Sequence, residues 1–369
     1  MQNNYSQIDL AHTRRAFELA SNGIGRISPN PLVGCVIVSA DGEVAGEGTY
    51  LSSNVVHAEA VALEQAGERA LGGTAYVSLE PHDHHGKTPP CTEALIKAGI
   101  NRVVCPIEDP NPLVSGKGFA RLRSSGLEVV TGILAGEAAK LNEKFICWHE
   151  KQRPFVHLKL ATSLDGRISL TNSVSTALSG DESRRRVQNL RHEYDAILVG
   201  GNTAFVDGPS LTDRSGKLRR RPLVRVVLDN RLRLPVESTL ATTARETPTL
   251  VFTNSDNAER IKALRNLGVD VVETELGGRD LAVVLSELRR GEIQSVLVEG
   301  GSEVAGAFCD ARLVDKLTFI AAPLIIGGRS APNAVGGSGA DNLAVALRLT
   351  DISVERLGDD IEITGYPAV

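Results

Sequence analysis

The segment Pro81-His82-Asp83-His84-His85-Gly86-Lys87-Thr88-Pro89-Pro90-Cys91, read together with His57-Ala58-Glu59 upstream, decides how the first part of the chain folds. Histidine nitrogen and cysteine thiolate are zinc donors, and a carboxylate near them can move protons at a metal-activated water. His57-Ala58-Glu59 opens a helix, Leu79-Glu80-Pro81-His82 ends a strand, and Thr88-Pro89-Pro90-Cys91 opens the next helix. A helix N-terminus suits Cys91, because the positive end of the helix dipole favours the thiolate.

Outward from this segment, helix and strand signals alternate. Residues 8–20 carry apolar side chains at helical spacing, and 32–39 read as a buried strand. An Asp41-Gly42 turn leads to a strand at 43–49. A helix from 58, a strand at 74–79, a helix from 91 and a strand at 102–105 follow, then two further strand–helix signals ending in a helix at 137–148. This order predicts a mixed sheet covered by helices. The polar run His149-Glu150-Lys151-Gln152-Arg153-Pro154 marks a boundary, dividing the chain into domains at 1–148 and 154–369. Beyond it, apolar strands recur at 155–161, 196–199, 224–228, 249–252, 269–272 and 295–298, forming a second α/β unit.

Composition narrows the function. The chain has 369 residues, 42% apolar and 23% charged, as soluble globular proteins do. Its net charge of −5 offers no general basic surface for a phosphate backbone, so no nucleic-acid partner is expected. No apolar stretch reaches the roughly 20 residues that span a bilayer; the richest, 317–326, contains Thr318 and Pro323. The start, Met1-Gln2-Asn3-Asn4-Tyr5, lacks a signal-peptide layout. Five scattered cysteines point to a reducing cytoplasm, and the lack of a spanning apolar stretch to no membrane partner. Cys35, Cys105, Cys147 and Cys309 read as core, and His12, His85 and His149 as surface or packing residues.

The quoted motifs resemble a known family. H-x-E followed by P-C-x-x-C is the zinc deaminase signature, and the 81–91 segment resembles P-C-x-H-x-G-[KR]-T-P-P-C of the riboflavin-pathway deaminases. Ser28-Pro29-Asn30-Pro31-Leu32-Val33-Gly34 resembles that family's P-N-P-x-V-G stretch. The resemblance implies zinc held by His57, His82 and Cys91, Glu59 as the catalytic proton shuttle, and substrate contacts from Asn30, His84 and Lys87. Position 82 departs from it, with His where the family has Cys. Imidazole is a competent zinc ligand; in the alternative reading the site is degraded and His82 is a polar loop residue. Asp83 and His84 are weaker substitutes.

In the second half, Leu158-Lys159-Leu160-Ala161-Thr162-Ser163-Leu164-Asp165-Gly166-Arg167, Asp195 to Thr203, Asp207 to Arg214 and Val298-Glu299-Gly300-Gly301-Ser302 resemble the riboflavin-pathway reductase, which has the dihydrofolate reductase fold. Gly300-Gly301 would let helix N–H groups approach a phosphate. The resemblance implies NADPH contacts from Ala161, Ala177, Thr203, Asp207, Gly301, Ser302, Glu303, Val304, Ala305, Gly306 and Ala307. It implies substrate contacts from Ser175, Arg191, Leu211, Arg214 and Glu299, with Arg191 and Arg214 on the phosphate. Ala177 departs from S-x-W-I-T, where relatives have an aromatic side chain. The clusters Arg184-Arg185-Arg186 and Arg219-Arg220-Arg221 read as exposed charge.

Together these matches resemble the bifunctional riboflavin-biosynthesis deaminase-reductases. They imply an N-terminal cytidine-deaminase-like α/β sandwich followed by a dihydrofolate-reductase-like α/β domain. The expected activity is zinc-dependent hydrolytic deamination of a diamino-ribosylamino-pyrimidinone phosphate, then NADPH-dependent reduction of ribosyl to ribityl. The alternatives are a reductase with a silent deaminase domain, or a related enzyme acting on another small metabolite. Such families often form homo-oligomers, and no residue pattern sets the number of subunits.

Overall fold

In a computed structural model, residues 5–51, 56–84, 89–171, 174 and 176–368 are described. The chain divides into two compact units, Met1–Gln152 and Arg153–Val369.

The first unit contains helices α1 (Gln7–Ser21), α2 (Ala58–Ala66), α3 (Cys91–Lys97), α4 (Lys117–Ser124), α5 (Ala135–Leu141) and α6 (Glu143–Glu150). Its strands β1 (Gly34–Val38), β2 (Val44–Thr49), β3 (Thr74–Val77), β4 (Arg102–Cys105) and β5 (Glu128–Thr131) form one sheet in the order β2-β1-β3-β4-β5. β1 runs antiparallel to β2 and β3, and β3, β4 and β5 are mutually parallel, so the sheet is mixed as expected. Helix α2 lies so close to β2 that a Cβ on Gly48 would come within 2.0 Å of the Ala58 carbonyl oxygen. That approach fixes the start of α2, where His57 is the N-cap. The helix expected over 137–148 is two helices. Asn142 interrupts them, and its side chain accepts from Leu32 N at 2.8 Å and donates to Leu32 O at 3.0 Å.

The second unit adds β6 (Phe155–Ser163), α7 (Asp181–Glu193), β7 (Ala196–Gly200), α8 (Gly201–Val206), β8 (Val224–Leu228), α9 (Thr239–Thr242), β9 (Thr249–Thr253), α10 (Ala258–Asn266) and β10 (Asp270–Glu273). Then come α11 (Leu281–Arg290), β11 (Ser295–Val298), α12 (Ser302–Asp310), β12 (Lys316–Ala322), β13 (Leu349–Leu357) and β14 (Asp360–Pro367). The nine strands are ordered β10-β9-β8-β7-β11-β6-β12-β14-β13. All neighbours from β10 to β12 are parallel, whereas β14 pairs antiparallel with β12 and β13. The parallel strands are largely buried, as a helix-covered sheet requires. Strands β12 to β14 are not among those the sequence predicts; β13 is exposed over most of its length and mixes apolar with polar residues, so it forms no apolar run. Among the described residues no helix is long and apolar enough to cross a membrane.

Candidate active sites

The first unit brings His57, His82 and Cys91 together, with one ligand-type atom of each lying within 4.8 Å of the others. His57 caps α2, and Cys91 is the first residue of α3, whose N-cap is Pro90. His82 sits in the β3–α3 loop, tied to α3 by Thr92 N donating to the His82 carbonyl at 3.3 Å and by Thr92 Oγ1 donating to Asp83 at 2.5 Å. The His57 and His82 rings are 4.4 Å apart. Burial, then the neighbouring His57 and His84, push His82 down to about 4, so its ring is neutral and keeps a lone pair for a cation. Burial and Glu59 push the Cys91 thiol up, a direction that a divalent cation within reach would reverse.

Glu59 is buried, and its Oε2 has no hydrogen-bond partner among the described residues. An orphaned carboxylate oxygen beside two imidazoles and a thiol fits a zinc ion with its water, and the N₂S donor set is one that zinc accepts. A cavity of about 350 Å³ opens here, lined by Asn30, His57, Glu59, His82 and His84, with Asn30 Nδ2 donating to Tyr50 Oη at 3.2 Å. Lys87 lies outside the described residues. His149, expected as surface or packing, lines the same cavity.

Two lining carboxylates escaped the sequence reading. Glu80 accepts from the backbone N–H groups of Asp109, Gly116 and Phe119, which pins the 109–119 loop. Burial, with the Glu80 charge adding, raises Asp109 to about 6. Nothing in the local spacing marks either residue, since the contacts form between elements about 30 to 40 positions apart.

In the second unit a cavity of about 1030 Å³ lies at the carboxyl ends of the parallel strands, the usual place for ligands in such sheets. Thr203, Asp207, Gly301, Ser302, Glu303 and Val304 line it. Gly301 is the N-cap of α12, and a Cβ there would reach Thr203 Oγ1 at 3.5 Å without a clash, so a longer side chain would fill the cradle. The remaining expected cofactor residues lie elsewhere. Ala305 and Gly306 are buried, and a Cβ on Gly306 would lie 2.3 Å from the Gly336 backbone, so Gly306 packs rather than binds. Ala307 and Ala177 are exposed and Ala161 is half-buried in β6, none of them lining the cavity, although Val174 and Thr176 do. Ser175 lies outside the described residues.

Arg191 does not stand free for a phosphate. Its Nε and Nη2 donate to the two Glu299 oxygens at 2.8 and 2.9 Å, and Nη1 donates to the Thr212 carbonyl. Burial pushes Glu299 up, but the Arg191 charge outweighs it and the carboxylate sits below its ordinary range. Leu211 is packed in the core with a left-handed backbone (φ 48°), leaving only its backbone to meet a ligand. Arg214 is exposed. Arg219 is not exposed charge: it donates to the carbonyls of Arg191, His192 and Tyr194 and pairs with Asp213 at 3.2 Å. Lys159, within the apolar run of β6, is buried near Glu299; burial pulls it down and the Glu299 charge opposes this. A lone cation in an otherwise apolar strand was the signal that could have found it.

The arrangement defines a class, a metal-type deaminase joined to a nucleotide-dependent reductase. Residues 6–107 match the cytidine and deoxycytidylate deaminase zinc-binding region, and residues 154–363 match the RibD C-terminal domain. Riboflavin biosynthesis protein RibD of Actinobacillus pleuropneumoniae is 40% identical over 355 residues, covering 96% of this chain and 94% of the relative. The Escherichia coli protein of the same name is 37% identical over 364 residues, covering 96% and 98%. The solved structure of Acinetobacter baumannii RibD (form 1) superposes with a TM-score of 0.87 at 36% identity, covering 98% of this chain and 99% of that one. A Thermotoga maritima diaminohydroxyphosphoribosylaminopyrimidine deaminase/5-amino-6-(5-phosphoribosylamino)uracil reductase gives 0.86 at 36% identity, with the same coverage. The chain belongs to the RibD family of bifunctional deaminase-reductases, with a zinc-binding deaminase domain and an NADPH-dependent reductase domain.

Proposed function

We propose that the first unit hydrolytically deaminates a diamino-ribosylamino-pyrimidinone phosphate, and that the second reduces the ribosyl group of the product to ribityl with NADPH. The observation that carries this reading is the convergence of His57, His82 and Cys91 beside the unpartnered oxygen of Glu59. These three side chains would hold zinc, which when bound supplies an acidified water. Glu59 would take the two protons of that water in turn at Oε2, passing the first to the ring nitrogen and the second to the departing ammonia. Asn30, His84 and Lys87 contact the pyrimidine substrate. Histidine at 82 leaves the donor set with one thiolate instead of the two of the usual signature.

In the second unit Thr203, Asp207 and Gly301 to Val304 hold the cofactor, which supplies the hydride when bound. Glu299, kept ionised by Arg191, and Lys159 face the sugar, while Arg214 meets the substrate phosphate. The partner is thus a small molecule, and the compartment is the cytoplasm, where five free cysteines stay reduced. The chain assembles as a homo-oligomer through β13, an exposed edge strand carrying Ile352 and Val354; light scattering that returns the monomer mass would remove this part.

Mass spectrometry of products made from the pyrimidine precursor, with and without NADPH, tests the reading. The deaminated product is expected without cofactor and the ribityl product with it. No change in mass under either condition would sink both halves. A second reading, a silent deaminase domain beside a working reductase, is favoured by the departure at His82. It is separated by ammonia release, which it requires to be absent.

A further inference from the structure

The cofactor cavity is lined by five arginines, of which the side chains of Arg231, Arg279 and Arg329 make no ion pair or hydrogen bond among the described residues. Two of these are held at one place. Asn230 Oδ1 accepts from Gly278 N at 2.7 Å, so the residues next to Arg231 and Arg279 are joined directly. The join is tight: a Cβ on Gly277 would lie 2.3 Å from the same oxygen, and Gly277 has φ 59°. Arg233, by contrast, is occupied, 4.0 Å from Asp229 and stacked 5.7 Å from the Phe205 ring.

Sheet order sets where this pair lies. Gly301 follows β11 and Arg231 follows β8, with β7 between them. Two strand spacings put the pair about 10 Å along the sheet edge from the α12 turn. Glu299, on the sugar-facing side, precedes that turn. The pair therefore stands at the end of the cavity remote from hydride transfer, past the phosphate-receiving helix end. Two unpaired guanidiniums are a strong receiver for a dianionic monoester.

We infer that Arg231 and Arg279 receive the phosphate monoester on the adenosine ribose of NADPH, and that they set the preference for NADPH over NADH. The inference rests on the NADPH-dependent reading of the second unit.

Calorimetric titration of the full-length protein with NADPH, NADH, 2′,5′-ADP, 5′-ADP and inorganic phosphate tests it without turnover. Each of Arg231→Gln and Arg279→Gln is expected to weaken NADPH and 2′,5′-ADP roughly 10- to 100-fold, with NADH and 5′-ADP unchanged. Both side chains are exposed, so the variants keep the wild-type melting temperature. Arg329→Gln leaves the ratio of NADPH to NADH affinity as it was. Wild-type protein that binds NADH as tightly as NADPH overturns the inference and leaves the reductase reading intact; protein that binds neither overturns both. Equal weakening of the two nucleotides, no weakening, or loss of the ratio in Arg329→Gln also overturns it. So does 2′,5′-ADP binding no tighter than inorganic phosphate, which would make the pair a free-phosphate site.

Discussion

Arg191 holds Glu299 at both carboxylate oxygens, and the two side chains are equally buried, each about 11% exposed. The pair keeps a negative charge at the β11 end of the sheet, where an unaccompanied carboxylate would take up a proton. Arg191→Met should cost about 3–5 kcal/mol by stranding that charge. Adding Glu299→Gln should restore much of the stability but none of the reduction. Urea unfolding of the two variants, alongside reduction of supplied deaminated product, checks both halves.

In the first unit, Glu59→Gln should retain zinc and lose about two to four orders of magnitude in ammonia release. His82→Ala should lose metal as well. Elemental analysis of protein purified without chelators separates the cases, and a full zinc complement in His82→Ala would remove His82 from the ligand set. The cobalt-substituted protein offers an independent reading: His82→Cys should strengthen the thiolate-to-metal absorption band relative to wild type.

Gly306 and Gly301 should respond to substitution for different reasons. Gly306→Ala forces a methyl into the Gly336 backbone and should cost about 1–3 kcal/mol of stability. Gly301→Val leaves stability nearer wild type and weakens NADPH, because its side chain grows into the cavity beside Thr203. Melting temperature and nucleotide titration should therefore rank the two variants in opposite orders.

Asp9 accepts from Arg102 Nη1 at 2.7 Å and from Tyr76 Oη at 2.9 Å, and the Arg102 hydrogen bond leads in lowering it from 3.8 to about 2. A lowered carboxylate stabilises the fold fully above its unfolded value, and the contribution is lost as pH falls from near 4 towards 2. Asp9→Asn should thus lose about 1–2 kcal/mol at pH 7, with the gap to wild type closing near pH 2. A constant gap across that range in chemical unfolding would mean the charge is not responsible.

The strands that line up with the parallel core were readable because each is a short apolar run: 102–105, 224–228 and 295–298 were located to the residue. The proximity of His57, His82 and Cys91 was readable because these residue types sit at the starts of α2 and α3 and in one short loop. What escaped depends on long-range partners. Glu80 looks like any polar residue after a strand until the backbone N–H groups of 109, 116 and 119 meet it. Arg191 reads as a phosphate contact until Glu299 claims it, and Arg219 as surface charge until three carbonyls do. Asn142 gives no local sign that it will divide a helix, because its reason for doing so is Leu32, 110 residues away.

Arg225 is sealed in the second unit and pairs with no carboxylate among the described residues, donating to Thr243 Oγ1 and to the carbonyls of Ser210, Leu240 and Thr247. Burial draws it down to about 10, so it keeps its proton at neutral pH. One side chain therefore answers to two separate stretches of sequence, 240–247 and the loop that continues into Leu211. For a lineage adapting this pocket to a new metabolite, that loop is the least free place to begin. A change of path at Ser210 strands a buried cation, and selection sees the folding defect before it sees any new chemistry. Novelty in such a pocket has more room to arise at Val174 and Thr176, which also line the cavity and carry no such buried charge.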